Sequence, residues 1–205
     1  MTLKKIHFVS GLTIAIFISL HLVNHMLSVF GADNHINVMN TMRLIYRNIF
    51  VESILLIGVF VQIISGLKLF KSYRKITTTK FEKLGLWTGL YLVVFFIMHI
   101  SAVLGGRFFL HLDTNFYFGV AGLNSFPYNL FFIPYYGLAI ISFFGHIAAV
   151  HRKKMNGNIL NFPPEIQSIA ILVFGVLLTI FLFFGLTNHF KGVTIPKEYE
   201  ILIGK

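Results

Sequence analysis

The sequence predicts an all-α fold, an integral membrane bundle of about five transmembrane helices. Of 205 residues, 56% are hydrophobic, 16% aromatic and only 12% charged, a composition outside the range of soluble domains. The apolar residues fall in long blocks, each near the ~20 residues a helix needs to cross a bilayer's hydrocarbon. The blocks are continuously apolar, whereas the strands of a membrane barrel alternate over about ten residues.

The blocks are residues 6–27, 49–70, 84–104, 129–150 and 166–186, so that residues 1–187 form one transmembrane domain. Lys4 and Lys5 precede the first block, as in a secretory signal. The block is longer than an h-region and shows no small-residue cleavage site, so it is read as a mature helix. Pro163, Pro164 and Glu165 open the fifth block: proline suits the first helical turn, and an acid suits the positive end of the helix dipole. The two longest connections, 29–48 and 105–128, are expected to pack over one end of the bundle. The tail, 188–205, has too few apolar residues for another span and is expected to be a short external appendage.

Charge sets an orientation. Lys4, Lys5, Lys68, Lys71, Arg74, Lys75, Lys80, Lys83, Arg152, Lys153 and Lys154 share one side, eleven of the seventeen basic residues. The positive-inside rule then puts the N-terminus and the loops 71–83 and 151–158 on the cytoplasmic or matrix side of a bacterial or mitochondrial inner membrane. The net charge of +10 sits in short loops at membrane edges, with no separate domain to bind nucleic acid. Anionic headgroups or an acidic partner subunit explain it better. With no cysteine, thiolate metal sites and covalent c-type haem attachment are excluded, so any metal must be held by histidine.

Polar residues inside the spans carry the chemistry, because burying them in hydrocarbon is costly without a partner. They are His21, Asn24, His25, Glu52, Gln62, Lys68, His99 and His146. His21 and His99 each lie 15 residues from the inner end of their blocks, about 22 Å at ~1.5 Å per residue. Two neutral imidazoles at one depth, on helices that both run outward, can each give an axial nitrogen to the iron of a b-type haem. The alternative is that each histidine only hydrogen-bonds a neighbouring helix.

Ser10-Gly11, His21-Leu22-Val23-Asn24 and Leu27-Ser28-Val29-Phe30-Gly31 resemble the first helix of the cytochrome b membrane anchors of succinate:quinone oxidoreductases and fumarate reductases. The likeness continues with Arg47 and Glu52 opening the second helix, Ser65-Gly66-Leu67 near its end, His99 in the third helix and His146 in the fourth, over roughly residues 5–155. The resemblance implies haem ligands at His21 and His99. It also implies electron transfer to membrane quinone, with iron–sulfur and flavoprotein subunits as partners that hold the catalytic residues; none is assigned in this chain. Relatives with two haems place a second-helix histidine where this chain has Gln62. One haem b near the outer side is therefore expected, with a second possible at His146; otherwise His146 is a hydrogen-bonding residue.

Further candidates surround this pair. His25 lies one turn beyond His21 and suits a propionate, a quinone or the headgroup region. Arg43 and Arg47, near the outer end of the second helix, suit haem propionates or interface anchoring. Glu52 is expected to pair with Arg47 or Arg43, or to relay protons. At the inner end, His7-Phe8-Val9-Ser10-Gly11 is similar to the His-Arg-x-Ser-Gly stretch of one branch's quinone site, with Phe8 in place of the arginine. Trp87 and Lys68 fall near that level, so the resemblance implies a quinone pocket involving His7, Ser10 and Trp87. The simpler readings are an aromatic belt residue and a snorkelling lysine. A haem-free transporter or structural anchor, and a free-standing cytochrome b, are the competing functions.

Overall fold

A computed structural model describes residues 2–205, and among them helices account for every regular element beyond one isolated bridge between Ile159 and Phe162. Five helices are long and apolar enough to cross a membrane, the architecture of an integral membrane protein. They are α1 (Leu3–Met26), α3 (Ile49–Tyr73), α4 (Lys80–Phe108), α6 (Asn129–Lys154) and α7 (Pro164–Leu186). Each predicted block lies inside its helix except the first, whose last residue, Leu27, opens a 3-10 turn. The helices run further at several ends because polar residues can cap them there. Thr79 caps α4 in a capping box with Glu82, satisfying backbone N–H groups a helix start leaves open. Pro164 opens α7 as expected, with Glu165 in its first turn.

The outward faces are apolar. On α1, Leu12, Ile16 and Leu20 are each more than half exposed, a stripe at helical spacing that lipid would cover. The inward faces are lined with small residues, including Ala139, Ser142, Gly145 and Ala149 of α6 and Ser168, Gly175 and Thr179 of α7. Lipid tails are as apolar as any side chain, so helices associate by close packing, which small residues allow. A Cβ on Gly175 would stand 2.4 Å from that of Phe144, and one on Gly85 2.9 Å from that of Ala149. Buried hydroxyls bond their own helix: Ser168 donates to Pro164 O at 2.8 Å and Thr179 to Gly175 O at 2.8 Å.

The helices form a closed ring in the order α1, α3, α4, α6, α7, with α7 returning to α1. The two long connections cover one end. The first holds a 3-10 turn (Leu27–Phe30) and α2 (Ala32–Tyr46), the second a short helix, α5 (Phe116–Val120). The tail is more than an appendage, since its 3-10 helix (Lys197–Ile203) buries Tyr199 and Ile203 against this cap. The Tyr199 hydroxyl donates to Asp113 O at 3.0 Å. Two apolar anchors were enough to dock a segment too short to span.

Overpacking a tight helix contact costs roughly 1–3 kcal/mol. Gly175→Leu is therefore expected to lower the detergent unfolding midpoint, while Gly105→Ala, whose added Cβ meets nothing within 4 Å, should leave it close to wild type. Circular dichroism melts of the two variants check this.

Candidate functional site

The bundle brings its histidines together in two groups. Toward the capped end, the His21 and His99 rings have centres 6.3 Å apart, so the depth match read from the sequence corresponds to proximity in space. His99 stacks on Phe95 at 5.0 Å and His21 on Phe17 at 5.9 Å. His21 also continues into a chain of imidazoles. Its Nε2 lies 3.0 Å from His25 Nε2, and His25 Nδ1 lies 3.1 Å from His35 Nε2, to which Asn24 Nδ2 is 3.2 Å away. His35 sits on α2, almost fully buried, against the Phe116 ring.

His35 Nε2 stands within hydrogen-bond distance of both Asn24 Nδ2 and His25 Nδ1, and a neutral imidazole nitrogen has one lone pair or one proton to offer them. In the His21–His25 link one ring donates and the other accepts, which engages Nε2 of His21. Among the described residues, two buried atoms in this cluster, His35 Nδ1 and Asn24 Oδ1, have no hydrogen-bond partner.

Toward the opposite end, the rings of His7 and His146 have centres that are also 6.3 Å apart, at an interplanar angle of 80°. His7 Nδ1 is 2.8 Å from Ser65 Oγ, whose own proton is directed at Val61 O. His146 Nδ1 is 2.9 Å from Gly85 O. Both residues line a cavity of about 1320 Å³ between α1, α3, α4 and α6, above the ~300–1,000 Å³ usual for small-molecule pockets.

The other expected residues separate. Gln62 lines the same cavity, but its Nε2 donates to His7 O and Ser10 Oγ, each at 2.6 Å. Ser10 thereby holds Gln62 and is not among the residues lining the cavity. Trp87 does not join the group either: it is on the outward face of α4, 61% exposed, with its ring edge-on to Phe70 at 5.5 Å. Lys68 is exposed. Arg43 forms an ion pair with Asp113 at 2.8 Å, and Arg47 is 3.8 Å from the same carboxylate and donates to Thr114. Glu52 pairs with Arg107 of α4, not with Arg43 or Arg47 as expected. The reason is topological: α2 lifts Arg43 and Arg47 into the cap, while Arg107 ends the helix that packs beside α3.

Sequence reasoning missed His35, Asp113, Arg107 and Gly85, and it named Ser65 only within the Ser65-Gly66-Leu67 stretch, without a role. The polar stretch around His35 read as loop, although Asp33 in its first turn is a helix-start signal. Ser65 and Gly85 act through a hydroxyl and a backbone carbonyl, for which residue type alone gives no sign.

Among the described residues no three His, Cys, Asp or Glu side chains are placed to hold a bare metal ion. Paired histidines suit an iron whose four equatorial bonds come from a porphyrin. His21 with His99, and His7 with His146, are the two pairs that could hold such a group. Comparisons with protein-family models, with curated proteins and with solved structures find no match for this chain.

Burial, followed by the nearby His21 and Arg43, holds the His35 imidazole down at about 4. In an unfolded chain it would take up a proton near pH 6.5. Its neutral folded form is therefore without penalty above pH 6.5, and stability is lost as pH falls from 6.5 toward 4. The unfolding midpoint in detergent is expected to drop across that window, with a shallower drop in His35→Asn.

Proposed function

We propose that the chain is a haem b-containing membrane subunit that passes electrons between partner iron–sulfur clusters and membrane quinone, anchoring the catalytic subunits of a succinate:quinone oxidoreductase or fumarate reductase. The observation that carries this reading is the His21–His99 pair, on two separate membrane helices with ring centres 6.3 Å apart. It joins the resemblance of the first four spans to that family, in which the corresponding residues are haem ligands.

His21 and His99 would hold the haem, one from α1 and one from α4. When bound, haem b supplies one-electron redox chemistry, while the protein contributes orientation and burial. His21 has Nδ1 free of the His25 bond, and Phe17 and Phe95 stack on the two imidazoles and fix their planes. Arg43 and Arg47 converge on Asp113 in the cap at this end of the bundle. The basic side, with eleven of seventeen lysines and arginines, faces the cytoplasm or matrix and meets the acidic partner or the anionic headgroups. The membrane is a bacterial or mitochondrial inner membrane.

A haem-free reading, with the histidines only linking helices, draws on the His21–His25 hydrogen bond at 3.0 Å. An optical spectrum of the purified, dithionite-reduced protein separates the two, since a sharp low-spin α band is expected and a featureless spectrum sinks the proposal. Co-purification of flavin and iron–sulfur subunits then separates an anchor from a free-standing cytochrome. His21→Ala and His99→Ala are each expected to remove one low-spin haem per chain, because loss of either axial nitrogen leaves iron five-coordinate and loosely held. Unchanged haem content in either variant would remove that residue from the site.

A further inference from the structure

We propose that the mouth of the large cavity binds one anionic phospholipid, its phosphate held by Lys4, Lys153 and Lys154 while an acyl chain enters between the helices. The site does not depend on haem. It is a discrete seat for one lipid, distinct from the general attraction of a basic surface for a membrane.

Charge is concentrated where the cavity opens, at the end opposite the cap. Lys4, Lys80, Arg152, Lys153 and Lys154 line it there, against two acids, Glu82 and Glu165. Glu82 is already engaged, since its Oε2 accepts from the backbone N–H groups of Thr78 and Thr79, each at 3.3 Å. Glu165 sits in the first turn of α7, where the helix dipole favours it. Among the described residues none of the five cations has an ion-pair partner.

Three of the five lean onto aromatic rings. Lys4 Nζ is 5.0 Å from the centre of the Tyr73 ring and Lys153 Nζ 6.0 Å from the same centre, while Lys154 Nζ is 3.2 Å from the centre of Phe8. A basic last turn suits the C-terminal dipole of α6 wherever its side chains point. That preference does not direct Lys153 to α3 and Lys154 to α1. Phe8 is one turn from Lys4 on α1, so cations from two helices converge over two neighbouring rings. A phosphate among them would receive charge-assisted N–H···O bonds.

Beyond this mouth the lining is apolar and includes Leu12, Ala15 and Ile18 of α1, Leu86 and Leu90 of α4 and Ile147 of α6. From Lys4 to Ile18 is about 21 Å at ~1.5 Å per residue, whereas one leaflet of hydrocarbon is ~15 Å deep. A shaft of that depth takes the chain of a lipid whose headgroup is level with its neighbours in the bilayer. Phe8 and Leu12 line the cavity and are also 43% and 56% exposed, so the shaft opens sideways past α1 toward lipid. Toward the cap the same helix is closed against α7 by the core around Leu22 and Leu182. An acidic protein docked on this end would meet the cations but would bring no chain to fill the shaft within hydrocarbon.

Dioleoyl phosphatidylglycerol is the probe, added to the whole chain in mild detergent, with bound lipid counted by native mass spectrometry. One molecule per chain is expected to be retained, with affinity roughly tenfold or more above that of dioleoyl phosphatidylcholine, which has the same chains and no net charge. Lys4→Gln, Lys153→Gln and Lys154→Gln together are expected to abolish that preference. Lys71→Gln, Lys75→Gln and Lys83→Gln together, at three cations of the same side that do not line the cavity, should keep it. Leu86→Trp, which narrows the shaft and leaves every cation, should lower retention of both lipids. Equal retention of the two lipids by the wild type overturns the proposal, as does equal loss of preference in both triple variants, the mark of a diffuse field. Inorganic phosphate competing as strongly as lipid, or full retention in Leu86→Trp, shows an anion site without a chain slot and also overturns it. If phosphatidylglycerol is not retained and the first triple variant loses an acidic subunit that co-purifies with the wild type, the mouth belongs to a protein partner and the proposal falls. The wild-type comparison of the two lipids decides by itself if a variant fails to fold.

Discussion

Hydrocarbon offers no hydrogen bonds, and this constraint governs the molecule from the backbone outward. Each span satisfies its peptide groups by being helical. Side-chain hydroxyls return to their own helix, as Ser10, Ser168 and Thr179 do. Polar side chains that cannot do so must find partners across helices, and these crossings fix which helices meet and at what height. Gln62 on Ser10 and the His7 carbonyl sets α3 against α1, and His146 on the Gly85 carbonyl sets α6 against α4. Close approach of these backbones is possible because glycine, alanine and serine line the contact faces.

At the capped end the solvent changes, and so does the bonding. Ion pairs take over where both partners can still be reached by water. Arg43 and Arg47 converge on Asp113, and Arg107 meets Glu52, with side chains about a tenth to a half exposed. Such pairs contribute modestly to stability but fix position. Asp113 also receives the tail through the Tyr199 hydroxyl on its carbonyl. Three segments far apart in the chain are thus tied at one aspartate, over the histidine cluster that extends from α1 into α2.

The spans were legible because periodicity is irrelevant to a helix that is apolar all round; length and continuity suffice, and the ends differ where polar residues continue the helix beyond the hydrocarbon, as Thr79 does by capping α4 and as the basic last turn of α6 does. The level of His21 and His99 was legible for the same reason, since helix rise converts residue number into depth. Pairings in the cap were not. Glu52 had three arginines within reach, and nothing in spacing distinguishes Arg107 from Arg43 until α2 is recognised as a helix. His7 and His146 were read separately, His7 at a quinone pocket and His146 as a hydrogen-bonding residue or a second haem ligand, and their approach to 6.3 Å between ring centres is visible only once the helices are packed into the ring.

Gln62 shows how a polar side chain inside a span takes its role from its neighbours rather than from its own type. Its amide donates to the carbonyl of His7 and to Ser10 Oγ, so α3 holds the α1 backbone at the residue whose ring faces His146. Ser65, one turn further along α3, meets the His7 ring itself. The position of His7 therefore depends on two side chains of α3, one acting on its backbone and the other on its imidazole.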